Sequence, residues 1–117
     1  MAGARQATPR PRYQARPGRS ALVITDLGVL RGPTTGTVEL PLRLYWGANS
    51  TFDLDNPAVL RWVYQTVLRE AVHDDELVSY LNGDMLVAIW PELALPKGVR
   101  DAWEDHHPAL RAAARAA

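Results

Sequence analysis

The side chains of this chain best suited to chemistry are three histidines and several groups of carboxylates. His106 and His107 are neighbours, so on a helix their side chains diverge by about 100°, whereas a metal ion needs three or four converging ligands. His73 is better placed to interact with the dipole at the carboxyl end of a helix. The sequence therefore predicts no metal site and no cofactor.

The carboxylate groups have the right chemistry for general acid–base catalysis, but a simpler role accounts for each of them. They lie where a helix cap or a solvated helix face is expected: Asp53 and Asp55, Asp74 with Asp75 and Glu76, and Glu104 with Asp105. There is no nucleophile elbow, phosphate-binding loop, dinucleotide fingerprint or H-E-x-x-H motif, and no cysteine. The chain is therefore predicted not to be an enzyme.

Charge is distributed unevenly along the chain, although its net value is zero. Residues 1–20 contain five arginines and no acid, whereas the other 97 residues contain 8 basic and 13 acidic side chains. Because residues 1–20 also contain three prolines and little apolar surface, they are predicted to form a disordered arm.

The arm has the composition of a nucleic-acid contact, with arginines for phosphates and a tyrosine to stack on a base. The candidate residues for that contact are Arg5, Arg10, Arg12, Tyr13, Arg16 and Arg19. The same composition also suits folding onto an acidic partner, or a simple solubilising tail. No run of eighteen uncharged apolar residues occurs, so no membrane partner is expected.

Residues 21–117 are predicted to form one small α+β domain, with an N-terminal β-hairpin packed on about four short helices. The apolar residues 22–30 predict a first strand, and the alternation over residues 37–46 predicts a second. The inner face of the second strand is expected to consist of Val38, Leu40, Leu42, Leu44 and Trp46. Pro41 lacks an N–H group, so that strand is expected at a sheet edge or with a bulge.

Helical spacing dominates the rest of the chain. Asp55 or Asn56 is expected to cap a helix that begins at Pro57 and ends near Val72. Its apolar stripe faces the core and consists of Leu60, Val63, Tyr64, Val67, Leu68 and Ala71. Shorter helices are predicted to begin at three further points, namely at Asp74 or Asp75, at Asp84 and at Pro96.

Aromatic residues provide the candidate partner contacts. Trp46 and Trp103 fall on predicted inner faces and are expected in the core, while Trp90 suits either position. Trp62 lies off the stripe of its helix and is expected to be an exposed interface anchor. With the outer face of the second strand, the predicted partner-binding residues are Trp62, Arg61, Glu39, Arg43 and Tyr45.

Several stretches between residues 40 and 110 support a resemblance at the level of sequence: "LPLRLYWG", "FDLDNPAVLRWVYQTVLREA", "YLNGDMLVAIWPEL" and "LPKGVRDAWEDHHPAL". The chain resembles small uncharacterised actinobacterial proteins that accompany nucleotidyltransferase toxins of the AbiEii type. That resemblance implies an antitoxin or accessory partner, although no winged-helix DNA-binding half is present in the sequence.

Together these features predict a cytoplasmic, non-enzymatic protein-binding module, of antitoxin-like character, that binds a basic protein. Two alternatives remain open. One is a nucleic-acid-associated accessory factor that binds through the arm. The other is a phage or structural assembly subunit that associates with itself through the hairpin edge.

Overall fold

The computed structural model describes the backbone of residues 14–16 and 19–20 and the complete residues 21–117. Within these residues the fold is α+β, as predicted, with short antiparallel strand pairs and five α-helices. Most of the predicted disordered arm, residues 1–13 and 17–18, lies outside the described part of the chain.

The strands form two separate antiparallel pairs. Strand β1 (Gln14–Arg16) pairs with β2 (Arg19–Ser20). Strand β3 (Thr37–Glu39) pairs with β4 (Thr51–Asp53), and Val38 lies opposite Phe52 in that register. The β3–β4 hairpin packs beside the first helix.

The helices follow the second strand pair without interruption by further strands. They are α1 (Pro57–Glu70), α2 (Asp74–Tyr80), α3 (Gly83–Ile89), α4 (Lys97–His106) and α5 (Pro108–Ala116). A 3₁₀ turn, Trp90–Glu92, joins α3 to the connection that leads into α4. The chain thus has one helix more than the sequence predicted, because Pro108 begins a new helix directly after α4.

Helix α1 matches its prediction closely. The Asn56 carboxamide oxygen accepts hydrogen bonds from the N–H groups of Ala58 (3.0 Å) and Val59 (3.5 Å), and Pro57 occupies the first helical position. The buried face contains Leu60, Val63, Tyr64, Thr66, Val67 and Leu68. The helix ends at Glu70, slightly before the predicted end near Val72.

The predicted first strand, residues 22–30, is wrong. This segment has an irregular backbone with a 3₁₀ turn at Leu27–Val29, and the N–H of Arg31 donates to the Val78 oxygen at 3.2 Å. Next to it, the N–H of Gly32 donates to the Leu81 oxygen at 2.7 Å. Carbonyls at and just beyond the end of α2 lack a helical partner, so an adjacent chain segment can satisfy them without forming a sheet.

The predicted second strand is correct only for its first part. Strand β3 stops at Glu39, and the N–H groups of Leu44 (2.9 Å) and Tyr45 (3.1 Å) both donate to the Pro41 oxygen. Because the chain turns here instead of remaining extended, the expected alternation of faces is lost after Leu40. The partner of β3 is β4, which follows it in the chain, and not the predicted strand over residues 22–30.

The caps of two short helices also differ from prediction. His73 precedes α2 as its N-cap, and the Glu76 carboxylate accepts hydrogen bonds from the N–H groups of Val72 (2.9 Å) and His73 (3.1 Å). His73 thus lies between the end of α1 and the start of α2. Asn82, not Asp84, caps α3 by accepting a 3.0 Å hydrogen bond from the N–H of Met85.

The core is assembled around two fully buried tryptophans, Trp90 and Trp103. The indole N–H of Trp103 donates to the Leu22 oxygen at 3.1 Å, and Nε2 of the buried His107 lies 2.7 Å from the Ile24 oxygen. A buried carbonyl needs such a partner, so α4 and the start of α5 hold residues 22–24 against the core.

The burial of Tyr64 can be tested through the pH dependence of the free energy of unfolding. The side chain is fully buried, and burial raises the pKa of its phenol above the usual value, while the hydrogen bond from the N–H of Asn82 (3.0 Å) lowers it. The folded protein therefore holds this proton to higher pH than the unfolded chain does. Stability conferred by the neutral phenol is complete below pH of about 10 and is lost as pH rises through the folded-state pKa.

We expect the free energy of unfolding to fall more steeply between pH 9 and 11.5 in the wild type than in Tyr64→Phe, as measured by urea denaturation. Tyr80→Phe is the matched control, because Tyr80 is only partly buried. Equal slopes in the wild type and Tyr64→Phe would contradict the assignment.

Candidate functional site

A groove runs between the loop that follows β3 and the exposed side of α1. Its volume is about 670 Å³. We call it the α1 groove, and its lining consists of Arg43, Leu44, Tyr45, Trp46, Gly47, Trp62, Thr66, Arg69 and Glu70. It brings together residues that are distant in sequence and unites three of the predicted partner-binding residues, Arg43, Tyr45 and Trp62.

The turn over residues 41–46 projects two large apolar side chains outward. Leu42 is 73% exposed and Trp46 is 84% exposed, although both were predicted to face the core. Leu40 and Leu44 are buried and anchor the same turn from below. The turn therefore holds Leu42 and Trp46 at the surface by burying their neighbours.

Trp62 differs from its prediction in the opposite direction to Trp46: it is more buried than the sequence predicted, whereas Trp46 is more exposed. It is half-buried, not exposed, because its ring packs edge-on against Tyr45, at 5.0 Å between ring centroids, and at a tilt against Phe52, at 4.9 Å. Tyr45 also contacts Phe52 at 5.5 Å. Tyr45 and Trp62 form one wall of the site, and the three ring contacts attach the 41–46 turn to both β4 and α1.

Gly47 allows this wall to form. A Cβ atom at position 47 would overlap the ring and hydroxyl of Tyr45, so only glycine permits the ring to lie this close to the backbone. The tyrosine is thereby held over the chain that leads out of the turn.

Two arginines on the rim are ion-paired with carboxylates that lie deeper in the protein. Arg43 pairs with Glu76, and their side chains are 43% and 14% exposed. Arg69 pairs with Glu70 at 3.1 Å, and their side chains are 36% and 17% exposed. In both pairs the arginine side chain is the more exposed partner, so the arginines lie nearer to solvent than the carboxylates that neutralise them.

The hydroxyl of Thr66 is an unusual feature of the groove. Thr66 is buried in α1, and its Oγ1 makes no hydrogen bond within the described part of the chain. Buried hydroxyls are normally paired, so this one leaves hydrogen-bonding capacity unused next to the site. The sequence offered no signal for it, because Thr66 lies within an otherwise apolar helix face.

The remaining predicted partner residues lie apart from the groove lining. Arg61 pairs with Glu92 at 3.3 Å on another part of α1. Glu39 is exposed on β3, where its carboxylate lies 3.5 Å from the Ser50 hydroxyl. The arm residues Arg5, Arg10, Arg12 and Tyr13 lie outside the described residues, as do the side chains of Arg16 and Arg19.

One edge of β3 has no partner strand within the described part of the chain. The N–H of Leu40 donates to the Ser50 oxygen (2.9 Å) and that of Leu54 donates to the Gly36 oxygen (2.7 Å). Because hydrogen-bonded pairs alternate along an antiparallel ladder, Thr37 and Glu39 direct their backbone groups away from β4. Among the described residues no hydrogen bond to those outward groups is found. The edge is short, and it leads directly into the exposed 41–46 turn.

Three of the carboxylates considered for catalysis, Asp53, Asp55 and Glu104, accept structural hydrogen bonds. The Asp53 carboxylate accepts a hydrogen bond from the N–H of Asp55 (2.9 Å), and the Asp55 carboxylate accepts one from the N–H of Gly36 (3.0 Å). The Glu104 carboxylate accepts a 2.8 Å hydrogen bond from the indole of Trp90. These contacts tie the hairpin and α4 to the rest of the fold.

Neither a metal-ligand cluster nor a membrane-spanning helix is found among residues 21–117. In residues 21–117 no three His, Asp or Glu side chains converge in a way that could hold a metal ion. In the same part of the chain, every helix is too short or too polar to cross a membrane.

Comparison of the chain with protein-family models, with curated proteins and with solved structures finds no match in any of the three.

Proposed function

We propose that this protein is a non-enzymatic protein-binding module whose contact surface is the 41–46 turn together with the α1 groove. The observation that carries the proposal is Trp46, which is 84% exposed on the same short turn as Leu42, which is 73% exposed. Large apolar side chains held at the surface are typical of protein interfaces, and tryptophan is enriched among the residues that dominate binding energy.

The surroundings of Trp46 support the same proposal. The turn is anchored by the burial of Leu40 and Leu44 and by the contacts of Tyr45 with Phe52 and Trp62. A surface that is already ordered loses little conformational entropy when a partner binds, so more of the contact energy remains as affinity. The unpaired edge of β3 adds main-chain groups that an extended partner segment can use.

In its narrower form, the proposal is that the chain acts in the cytoplasm as an antitoxin-like partner of a nucleotidyltransferase-type toxin. This form rests on the resemblance of residues 40–110 to small actinobacterial proteins. Coexpression with a toxin encoded beside the gene tests it, and the expected result is a complex that survives size-exclusion chromatography and relieves growth arrest. Failure to bind such a toxin would remove this narrower form and leave the binding surface to be explained by another partner.

Trp46→Ala is the decisive variant for the general proposal. We expect it to weaken partner binding by about 30-fold or more, because truncation of a central interface tryptophan typically costs about 2 kcal/mol or more. The affinity-tagged full chain would be used to capture partners from its native host, and mass spectrometry would identify proteins lost with Trp46→Ala. The dissociation constant of an identified partner would then be measured for both forms.

Val29→Ala is a suitable control, because Val29 is an exposed apolar residue outside the α1 groove. We expect it to bind the partner as the wild type does. Since Trp46 makes little contact with the core, Trp46→Ala should also unfold at the wild-type urea concentration. The same partners, captured equally well by Trp46→Ala and by the wild type, would refute the proposal.

A further inference from the structure

We infer that the partner segment seated on the α1 groove is an acidic peptide segment, in which carboxylates flank a large apolar side chain. This inference rests on the proposed function and specifies the chemistry of the partner. It replaces the basic partner that the net negative charge of residues 21–117 had suggested.

The first argument is the difference in exposure between the paired charged side chains at the rim. Arg43 and Arg69 are each more exposed than the glutamate with which they pair. A partner that approaches from outside therefore contacts the arginine side chains before the paired carboxylates. An acidic segment is attracted at close range, whereas a basic one is repelled.

The second argument is the hydrogen-bonding capacity of Arg69. It contacts Glu70 through Nε, at 3.1 Å, so this hydrogen bond does not itself use the two terminal amino groups. A guanidinium offers five N–H donors, and its two terminal amino groups can bind a further carboxylate in a bidentate fork. Arg69 can thus hold its structural partner and a partner carboxylate at the same time.

The third argument is the position of Trp46 relative to these two charges. Trp46 lines the same groove as Arg43 and Arg69 and is the most exposed of the large apolar residues described. A partner side chain that packs against the indole therefore brings its sequence neighbours close to the guanidinium groups. An apolar residue flanked by Asp or Glu satisfies both contacts together.

A peptide fits these observations better than a nucleic acid does. Residues 21–117 contain 8 basic and 13 acidic side chains, so beyond the groove the described domain repels a continuous phosphate backbone.

The test is selection of random dodecapeptides, displayed on phage, against the immobilised full chain, with Trp46→Ala used to remove peptides that do not depend on the groove. We expect the selected sequences to be enriched in Asp and Glu on both sides of an aromatic residue or leucine. Binding of the best synthetic peptide should weaken about threefold in Arg43→Gln or Arg69→Gln and about tenfold in the double variant.

Arg61→Gln is the matched control. Arg61 also lies on α1, is 35% exposed and is ion-paired with Glu92, but it does not line the groove. Its substitution should leave peptide affinity unchanged. Circular dichroism and urea unfolding of each variant would show that affinity is compared between folded proteins.

The possible outcomes separate this inference from the proposed function. Selected peptides that depend on Trp46 but are neutral or basic, or that bind the double arginine variant normally, would overturn the acidic partner and leave the binding module standing. A single-stranded dT₁₂ oligonucleotide that displaces the peptide and binds more tightly than it would also overturn the inference. If no selected peptide distinguishes the wild type from Trp46→Ala, both proposals fail.

Discussion

Trp103→Ala is expected to lower the free energy of unfolding by about 3–5 kcal/mol, the usual cost of truncating a buried tryptophan. Trp103 is fully buried on α4, where its ring lies 5.6 Å from that of His107. Its indole N–H also holds the Leu22 oxygen at 3.1 Å. The substitution therefore creates a cavity and leaves a carbonyl without its partner.

The measurement is urea denaturation, accompanied by hydrogen exchange of residues 21–30. We expect Trp103→Ala to increase exchange in this segment more than elsewhere, because the segment is held by the side chains of Trp103 and His107. Trp103→Phe keeps most of the ring volume but removes the donor, so its loss should be smaller. Trp46→Ala provides the same chemical change at an exposed position and should cost less than about 0.5 kcal/mol.

Equal costs for Trp103→Ala and Trp46→Ala would mean that burial of these two residues has been assigned incorrectly. That result would also remove the basis for the proposed binding surface, since the proposal depends on Trp46 being the exposed one.

Gly32→Ala is expected to cost about 2–4 kcal/mol, from overpacking together with the loss of one buried hydrogen bond. A Cβ atom at position 32 would lie 2.6 Å from the Leu81 nitrogen and 2.9 Å from the Ser79 oxygen, and closer still to the carbonyl carbon of Tyr80. All three contacts are with backbone atoms, which cannot rotate away as a side chain can. Relief of the overlap requires the segment to move and stretches the 2.7 Å hydrogen bond from Gly32 to the Leu81 oxygen.

Gly28→Ala is the matched control for this second prediction. A Cβ atom at position 28 would meet the Asp26 carboxylate at 3.2 Å, and a flexible side chain can move by a few tenths of an ångström. We expect a cost below about 1 kcal/mol. The prediction is checked by urea denaturation of both variants, and a Gly32→Ala protein as stable as Gly28→Ala would show that residues 30–32 do not dock against α2 in solution.

Helix α1 illustrates what local sequence can predict. An asparagine that caps, a proline at the first helical position and an apolar residue at every third or fourth position all act within about one or two helical turns. The structure confirms each of these features for residues 56–70. Such interactions are predictable because the groups involved are close in sequence whatever the rest of the chain does.

Residues 37–46 illustrate where local pattern is insufficient. Their alternation predicted a strand of ten residues, yet the strand stops after three, because the chain turns where the N–H groups of Leu44 and Tyr45 donate to the Pro41 oxygen. Pro41 follows the alternation that points Thr37 and Glu39 away from β4, so its missing N–H group costs the β3–β4 ladder no hydrogen bond. The identity of the partner strand, β4, depended on closure of the loop between them, about which periodicity says nothing.

The exposure of the two tryptophans of the α1 groove was also not predictable from local sequence pattern. Trp62 lies off the apolar stripe of α1, and its helix alone predicts exposure. It is half-buried because Tyr45 and Phe52 meet over it from the hairpin. Trp46 alternates correctly for a core residue but is carried outward by the turn that begins at Pro41.

The amino-acid sequence alone determined the α+β class, the first long helix and the aromatic and arginine residues available for binding, because these depend on composition and on contacts within a few residues. Long-range packing set which tryptophan faces outward, which strand pairs with β3 and which arginines line one groove. Each of these depends on side chains brought together across the fold, and their burial is a property of the packed neighbours that no single segment contains.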